Sequence, residues 1–161
     1  MKKTRFYFGR TADIQRLVEK LKTTRFLGVL GASGSGKSSL ARAGLIPAIR
    51  AGELPDSEKW QIVPVFTPGS TPLEALVLNL AKLPSLDTTG LFGLLRESDR
   101  VLHAAVNAFL ESASSRKAGT HRVLLVVDQL EEVFTLCDKE TDRAQFLANL
   151  LYASSIPTLQ D

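Results

Sequence analysis

Apolar residues recur along this chain in two rhythms, one helical and one strand-like, and the two alternate. From Thr11 onward, Ile14, Leu17, Val18 and Leu21 fall at i, i+3, i+4 and i+7. That spacing predicts an amphipathic helix, with Thr11 as its N-cap and Asp13 at the positive end of its dipole. Phe26 to Leu30 is a short apolar run followed by turn-formers and reads as a buried strand. A glycine- and serine-rich stretch, Gly31 to Gly36, then leads into a helical pattern from Ser38 to Ile49. Pro47 within that pattern is expected to kink or end the helix. Gln61 to Thr67 reads as a second strand, and Pro64 places it at a sheet edge, since proline cannot donate to a ladder.

Thr71-Pro72-Leu73-Glu74 combines a capping box with proline at the first helical position, and Leu76, Val77 and Leu80 continue that helix. Pro84 to Ser98 reads as loop with some helix. Leu102, Ala105, Val106, Phe109 and Leu110 mark a further amphipathic helix, followed by a polar connector from Ser112 to Thr120. Val123 to Val127 is continuously apolar, the pattern of a strand covered on both faces. A last helix carries Phe146, Leu147, Leu150 and Leu151. Strands alternating with helices predict an α/β fold with a mostly parallel sheet.

Composition narrows the class. The chain has 161 residues, 44% hydrophobic and 23% charged, which suits one globular domain and excludes collagen-like and disordered chains. The net charge of +3 is too small a surplus for a nucleic-acid surface, and no stretch interleaves basic and aromatic residues. Cys137 stands alone, so it can form no intrachain disulfide, and it reads as a packed thiol. His103 and His121 show no metal-ligand spacing and read as surface residues; Trp60 is expected to pack at the start of its strand. The basic Met1 to Arg5 is followed by no signal-peptide core, and residues 1–8 read as a frayed, solvated terminus. No apolar run spans a bilayer, so a soluble, reducing, cytoplasmic setting with no membrane partner is expected.

The chemistry concentrates in two places. Gly31-Ala32-Ser33-Gly34-Ser35-Gly36-Lys37-Ser38 fits G-x-x-x-x-G-K-[ST] at every fixed position. Glycines there let backbone N–H groups converge on an anion, and the following helix adds its dipole to the same point. Lys37 supplies a point charge for the β- and γ-phosphates, Ser38 a hydroxyl for Mg²⁺, and Ser39 a second phosphate contact. The other place is Asp128, at the carboxyl end of the Val123–Val127 strand, where ligands bind in open α/β sheets. Asp128 either reaches the same Mg²⁺ through a coordinated water or caps the next helix. In the run Gln129-Leu130-Glu131-Glu132, a carboxylate can orient the attacking water. Many phosphate-loop ATPases carry glutamate where Gln129 stands, which leaves Glu131 and Glu132 as candidates; the competing role is a solvated first turn.

Phe8-Gly9-Arg10, the loop Gly31 to Ser38 and the segment Asp128 to Glu132 together resemble the STAND class of phosphate-loop NTPases. The resemblance is closest to the novel STAND NTPase domain of bacterial signalling and defence proteins. Arg42 to Arg50, Gly52 to Trp60, Pro68-Gly69 with Pro72-Leu73, and Val133 to Cys137 fit that subgroup too. It implies an ASCE/STAND-type three-layer αβα P-loop fold and binding of ATP or GTP with Mg²⁺. Nucleotide contacts are implied at Gly9, Arg10 and residues 31–39, with Gly9-Arg10 near the base and Asp13 the one acidic residue left after that pair. It also implies a slow switch whose nucleotide state controls self-association and an attached effector or WD40-like repeat domain.

The family's strand order, 5-1-4-3-2, puts a fourth strand with a polar sensor residue between Phe26–Leu30 and Val123–Val127, and Gln61–Thr67 at the edge. Nothing after Asp128 reads as that strand, so the chain is expected to be the N-terminal portion of a larger NTPase. It would bind nucleotide and turn over little alone. Two other classes compete. A small P-loop kinase needs a lid with several arginines, and only Arg143 follows Asp128. A non-hydrolysing nucleotide-binding interaction module is compatible with Gln129.

Overall fold

The structure, a computed structural model, describes residues 10–114 and 122–156. The expectations for Gly9, the terminus 1–8, His121 and most of the connector after Ser112 lie outside the described residues. The chain divides into two compact units, Met1–Trp60 and Gln61–Asp161, and each is described by itself.

In the first unit, helix α1 (Thr11–Leu21) buries Ile14 and Val18 from the stripe that its spacing predicts. Its N-cap is Arg10, one residue earlier than expected: the Ile14 N–H donates to the Arg10 carbonyl at 3.1 Å, and no side chain caps the helix. A second helix runs from Lys37 to Arg50 as α2 (Lys37–Ser39), a π-helical stretch (Leu40–Leu45) and α3 (Ile46–Arg50). Pro47 neither kinks it to a stop nor ends it. The Ile46 N–H reaches back five residues to the Ala41 carbonyl, and this widened turn accommodates the proline, which has no N–H to give. At Gly44 the two helices approach closely, since a Cβ there would lie 2.7 Å from Ile14 Cδ1. Beyond the helix, the buried Ser57 hydroxyl donates to the Ile49 carbonyl at 2.8 Å and accepts the Leu54 N–H at 3.2 Å.

The expected buried strand Phe26–Leu30 is not formed. The segment makes no ladder among the described residues, Phe26 is 54% exposed and Leu30 96%. An apolar run supplies side chains that favour burial, but a strand is made by hydrogen bonds to a neighbouring segment, and none of the described segments provides them.

The second unit holds a parallel pair, β1 (Gln61–Ile62) and β2 (Val123–Leu124), with Gln61 opposite Val123 and Ile62 opposite Leu124. The Val63 N–H donates to the Leu124 carbonyl at 3.0 Å, and pairing resumes beyond Pro64 with a bridge from Phe66 to Val127. Both expected strands are therefore present as neighbours, as the 5-1-4-3-2 order requires, with the ladder broken at the residue that cannot donate. Val123 to Val127 are half-buried rather than covered on both faces, because the described sheet has two strands.

Four longer helices follow: α4 (Pro72–Leu80), α5 (Leu91–Glu97), α6 (Val101–Ser114) and, after the short α7 (Glu132–Thr135), α8 (Glu140–Ser155). Thr71 is the N-cap of α4 with Pro72 at its first position, but the capping box does not close. Thr71 and Glu74 are exposed, where water serves the same N–H groups. The core gathers Val63, Leu73, Leu76, Leu95, Leu110, Val133 and Phe146. Helix α8 lies against α4, α5 and α6. Its expected stripe is half right: Phe146 is buried, Leu151 is 54% exposed, and the fully buried neighbour is Asn149. His103 is half-buried against the Tyr152 ring, edge-on at 5.7 Å, and is not a free surface residue. Cys137 is buried, as expected. No helix among the described residues is long and apolar enough to cross a membrane.

Candidate functional site: the glycine-rich loop and the Asp128 turn

The loop of the first unit owes its shape to two glycines in left-handed conformations, Gly34 at φ +74° and Gly36 at φ +84°, which side chains rarely adopt. Gly36 is the N-cap of α2, so the loop closes directly onto the helix, and its carbonyl accepts the Leu40 N–H at 2.9 Å. A Cβ at Gly31 would meet Ser35 Oγ at 3.0 Å and Lys37 Cδ at 3.6 Å, so this end of the loop is closed too. Lys37 folds back along it, its ammonium donating to the Gly31 carbonyl at 2.7 Å and the Ala32 carbonyl at 3.0 Å. Arg10 Nη2 donates to the Ser35 carbonyl. Residues Gly31 to Gly34 are exposed, whereas Ser35 to Ser39 are half-buried.

Of these residues, Arg10, Gly31, Ser35 and Lys37 line a cleft of about 440 Å³, while Ala32 to Gly34, Gly36, Ser38 and Ser39 lie outside its wall. Among the described residues around it, Arg10, Arg16, Lys20 and Lys37 are cationic and Asp13 is the one carboxylate. Four cations against one carboxylate make the cleft attractive to an anion. Leu17, Leu27 and Leu40 supply apolar wall. The structure thus unites Arg10 with the predicted loop and adds Arg16, Leu17 and Lys20. Those three follow Asp13 at i+3, i+4 and i+7; Arg16 and Lys20 flank Leu17, which the apolar spacing assigns to the buried stripe.

In the second unit, the Asp128 N–H donates to the Phe66 carbonyl at 2.8 Å, which anchors the aspartate at the end of the β2 run. Asp128 does not cap α7; Glu131 is its N-cap. Between them Gln129 sits at φ +52°, a left-handed conformation that costs a non-glycine residue roughly 1 kcal/mol and reverses the chain. The turn brings Glu132 over the loop that follows β1, where its Oε2 accepts the Gly69 N–H at 3.2 Å. Glu131 is exposed, and its backbone carbonyl receives the Phe134 N–H at 3.0 Å. The two candidate carboxylates are therefore unlike: one fastens a loop, the other faces solvent. Replacing Glu132 with alanine is expected to lower unfolding stability by about 1 kcal/mol, against under about 0.5 kcal/mol for Glu131→Ala. Urea denaturation of the two variants checks this, and equal midpoints would contradict it.

No cluster of three or more histidine, cysteine or acidic side chains among the described residues forms a metal cage. Mg²⁺ does not require one. It takes one or two protein oxygens and completes its shell with phosphates and water, and within the loop of the first unit the Ser38 hydroxyl is a hard oxygen donor of the right type.

A glycine-rich loop with left-handed glycines, closing on a helix whose first residue is a lysine folded along the loop, defines the phosphate-loop class. A family model for novel STAND NTPase 1 (nSTAND1) matches residues 1–160, and the chain belongs to that family, a STAND-type NTPase domain with the P-loop fold. No curated protein and no solved structure matches the chain significantly.

Proposed function

We propose that the chain binds ATP or GTP with Mg²⁺ as the nucleotide-binding core of a STAND-type signalling switch of the cytoplasm. The observation that carries this reading is the loop of the first unit, with its lysine aligned on the Gly31 and Ala32 carbonyls inside a cationic cleft. In this reading Gly31 to Ser39 wrap the phosphates, Lys37 neutralises them, and Ser38 and Asp128 are the oxygen donors for Mg²⁺. Magnesium, when bound with the nucleotide, screens charge on the β- and γ-phosphates.

Glu131 is the carboxylate we assign to orienting the attacking water, since Glu132 is engaged by the Gly69 N–H. Turnover is slow, and nucleotide state controls self-association or an attached effector or repeat domain. A non-hydrolysing interaction module is the second reading, favoured by Gln129 and by the bond that occupies Glu132.

Calorimetric titration of the chain with ATP and GTP, each with and without Mg²⁺, tests the reading. Binding of one nucleotide per chain, tightened by Mg²⁺, is expected. No heat and no rise in melting temperature with either nucleotide would overturn it.

A further inference from the structure

We infer that Arg10 is a positioning residue for the phosphate loop, not a reader of the nucleotide base; the inference rests on the nucleotide-binding reading above. Arg10 belongs to the same compact unit as the loop. Its backbone caps α1, and α1 is pinned to the helix that leaves the loop by the tight approach of Ile14 to Gly44. From that platform its Nη2 donates to the Ser35 carbonyl. Nη1, Cζ and Nη2 all lie 3.3–3.4 Å from where a Gly36 Cβ would be, so the guanidinium covers that side of residue 36.

In a trans peptide the C=O and the N–H point in opposite directions. A cation holding the Ser35 carbonyl therefore directs the Gly36 N–H away from itself. Lys37 acts the same way on the Gly31 and Ala32 carbonyls, and so directs the Ala32 and Ser33 N–H groups. Two side chains thus set the direction of three backbone donors before any ligand arrives. Donors oriented in advance bind an anion without the cost of ordering them at that moment. Arginine suits the task because its planar group can bond the carbonyl and cover Gly36 together; an ammonium does one or the other. Gly36 is glycine for two reasons: its positive φ, and the room its missing side chain leaves for Arg10.

A brace of this kind acts on the phosphates and is blind to the base. The test measures calorimetric affinities of the wild-type chain, Arg10→Ala and Arg10→Lys for ATP, GTP and inorganic tripolyphosphate, with the melting temperature of each unligated protein. Arg10→Ala is expected to weaken all three ligands by the same factor, about tenfold, with the ATP-to-GTP ratio unchanged. Arg10→Lys is expected to lose most of the same affinity, and it carries the comparison if the alanine variant does not fold. A changed ATP-to-GTP ratio with tripolyphosphate binding intact would make Arg10 a base reader and overturn the inference. Tighter binding in either variant would make it a plug, and wild-type affinity in Arg10→Lys would show that charge alone suffices; both overturn it. A wild-type chain that binds none of the three refutes the nucleotide reading itself, an outcome distinct from binding that is indifferent to residue 10.

Discussion

Replacing Lys37 with alanine is expected to weaken ATP·Mg²⁺ binding by at least about a hundredfold. Two losses combine. The first is the positive charge at the β- and γ-phosphates, a charge-assisted interaction of about 1.5–3 kcal/mol when the ligand is bound. The second is internal to the loop. The ammonium donates to the Gly31 and Ala32 carbonyls at 2.7 and 3.0 Å, and without it the peptides that present the Ala32 and Ser33 N–H groups lose their fixed direction. Arg10 retains the Ser35 carbonyl in this variant, so the helix side of the loop keeps its shape while residues 31–33 relax. The expected deficit is accordingly larger than for Arg10→Ala, which removes one brace and leaves Lys37 in place. Calorimetry is the direct measurement, with the melting temperature of the unligated variant as the control for folding. Affinity within about threefold of wild type would sink the phosphate-loop assignment.

The loop was legible because its chemistry is local. Positive φ at Gly34 and Gly36, a helix opening at Lys37 and a lysine long enough to return to residues 31 and 32 all arise within eight consecutive residues. Helix spacing was legible for the same reason, and Ile14 with Val18 and Leu73 with Leu76 fall where the period puts them. What the sequence did not reveal depends on partners far along the chain. Phe26 to Leu30 has the composition of a strand, yet a ladder requires a neighbour, which composition does not contain. Pro47 shows a local rule overridden locally: the proline forbids an ordinary helical bond, and a five-residue turn before it supplies a different one. Glu131 and Glu132 are adjacent and alike in sequence, and only the fold, by bringing Gly69 to one of them, tells them apart. Arg10 donates to the Ser35 carbonyl, 25 residues along the chain, a contact that no local pattern in the sequence announces.

Asn149→Leu is expected to cost about 3 kcal/mol of unfolding stability, and the reason lies in a break between helices. Helix α5 ends at Glu97 and α6 begins at Val101, so terminal N–H and carbonyl groups of both helices fall within a few residues. Asn149 projects into this break from α8 and is fully buried. Its Oδ1 accepts the Leu102 N–H at 3.0 Å, while Nδ2 donates to the Ser98 carbonyl at 3.0 Å and the Leu95 carbonyl at 3.2 Å. One amide therefore serves the end of one helix and the start of the next. Leucine has nearly the same volume and adds apolar burial, a gain of roughly 1–2 kcal/mol. Against that, it leaves a buried N–H and two carbonyls without these partners, at about 1–3 kcal/mol each. Asn149→Asp separates the acceptor from the donors, since it keeps an acceptor for Leu102 and loses both N–H groups; it is expected to destabilise as well, with a charge now buried. Leu151→Ala, at an exposed position two residues away on α8, should cost under about 1 kcal/mol. Urea unfolding of the three variants reads the comparison. A loss below about 1 kcal/mol for Asn149→Leu would mean that the freed groups find other partners, because the leucine fills the space and differs only in what it can donate and accept.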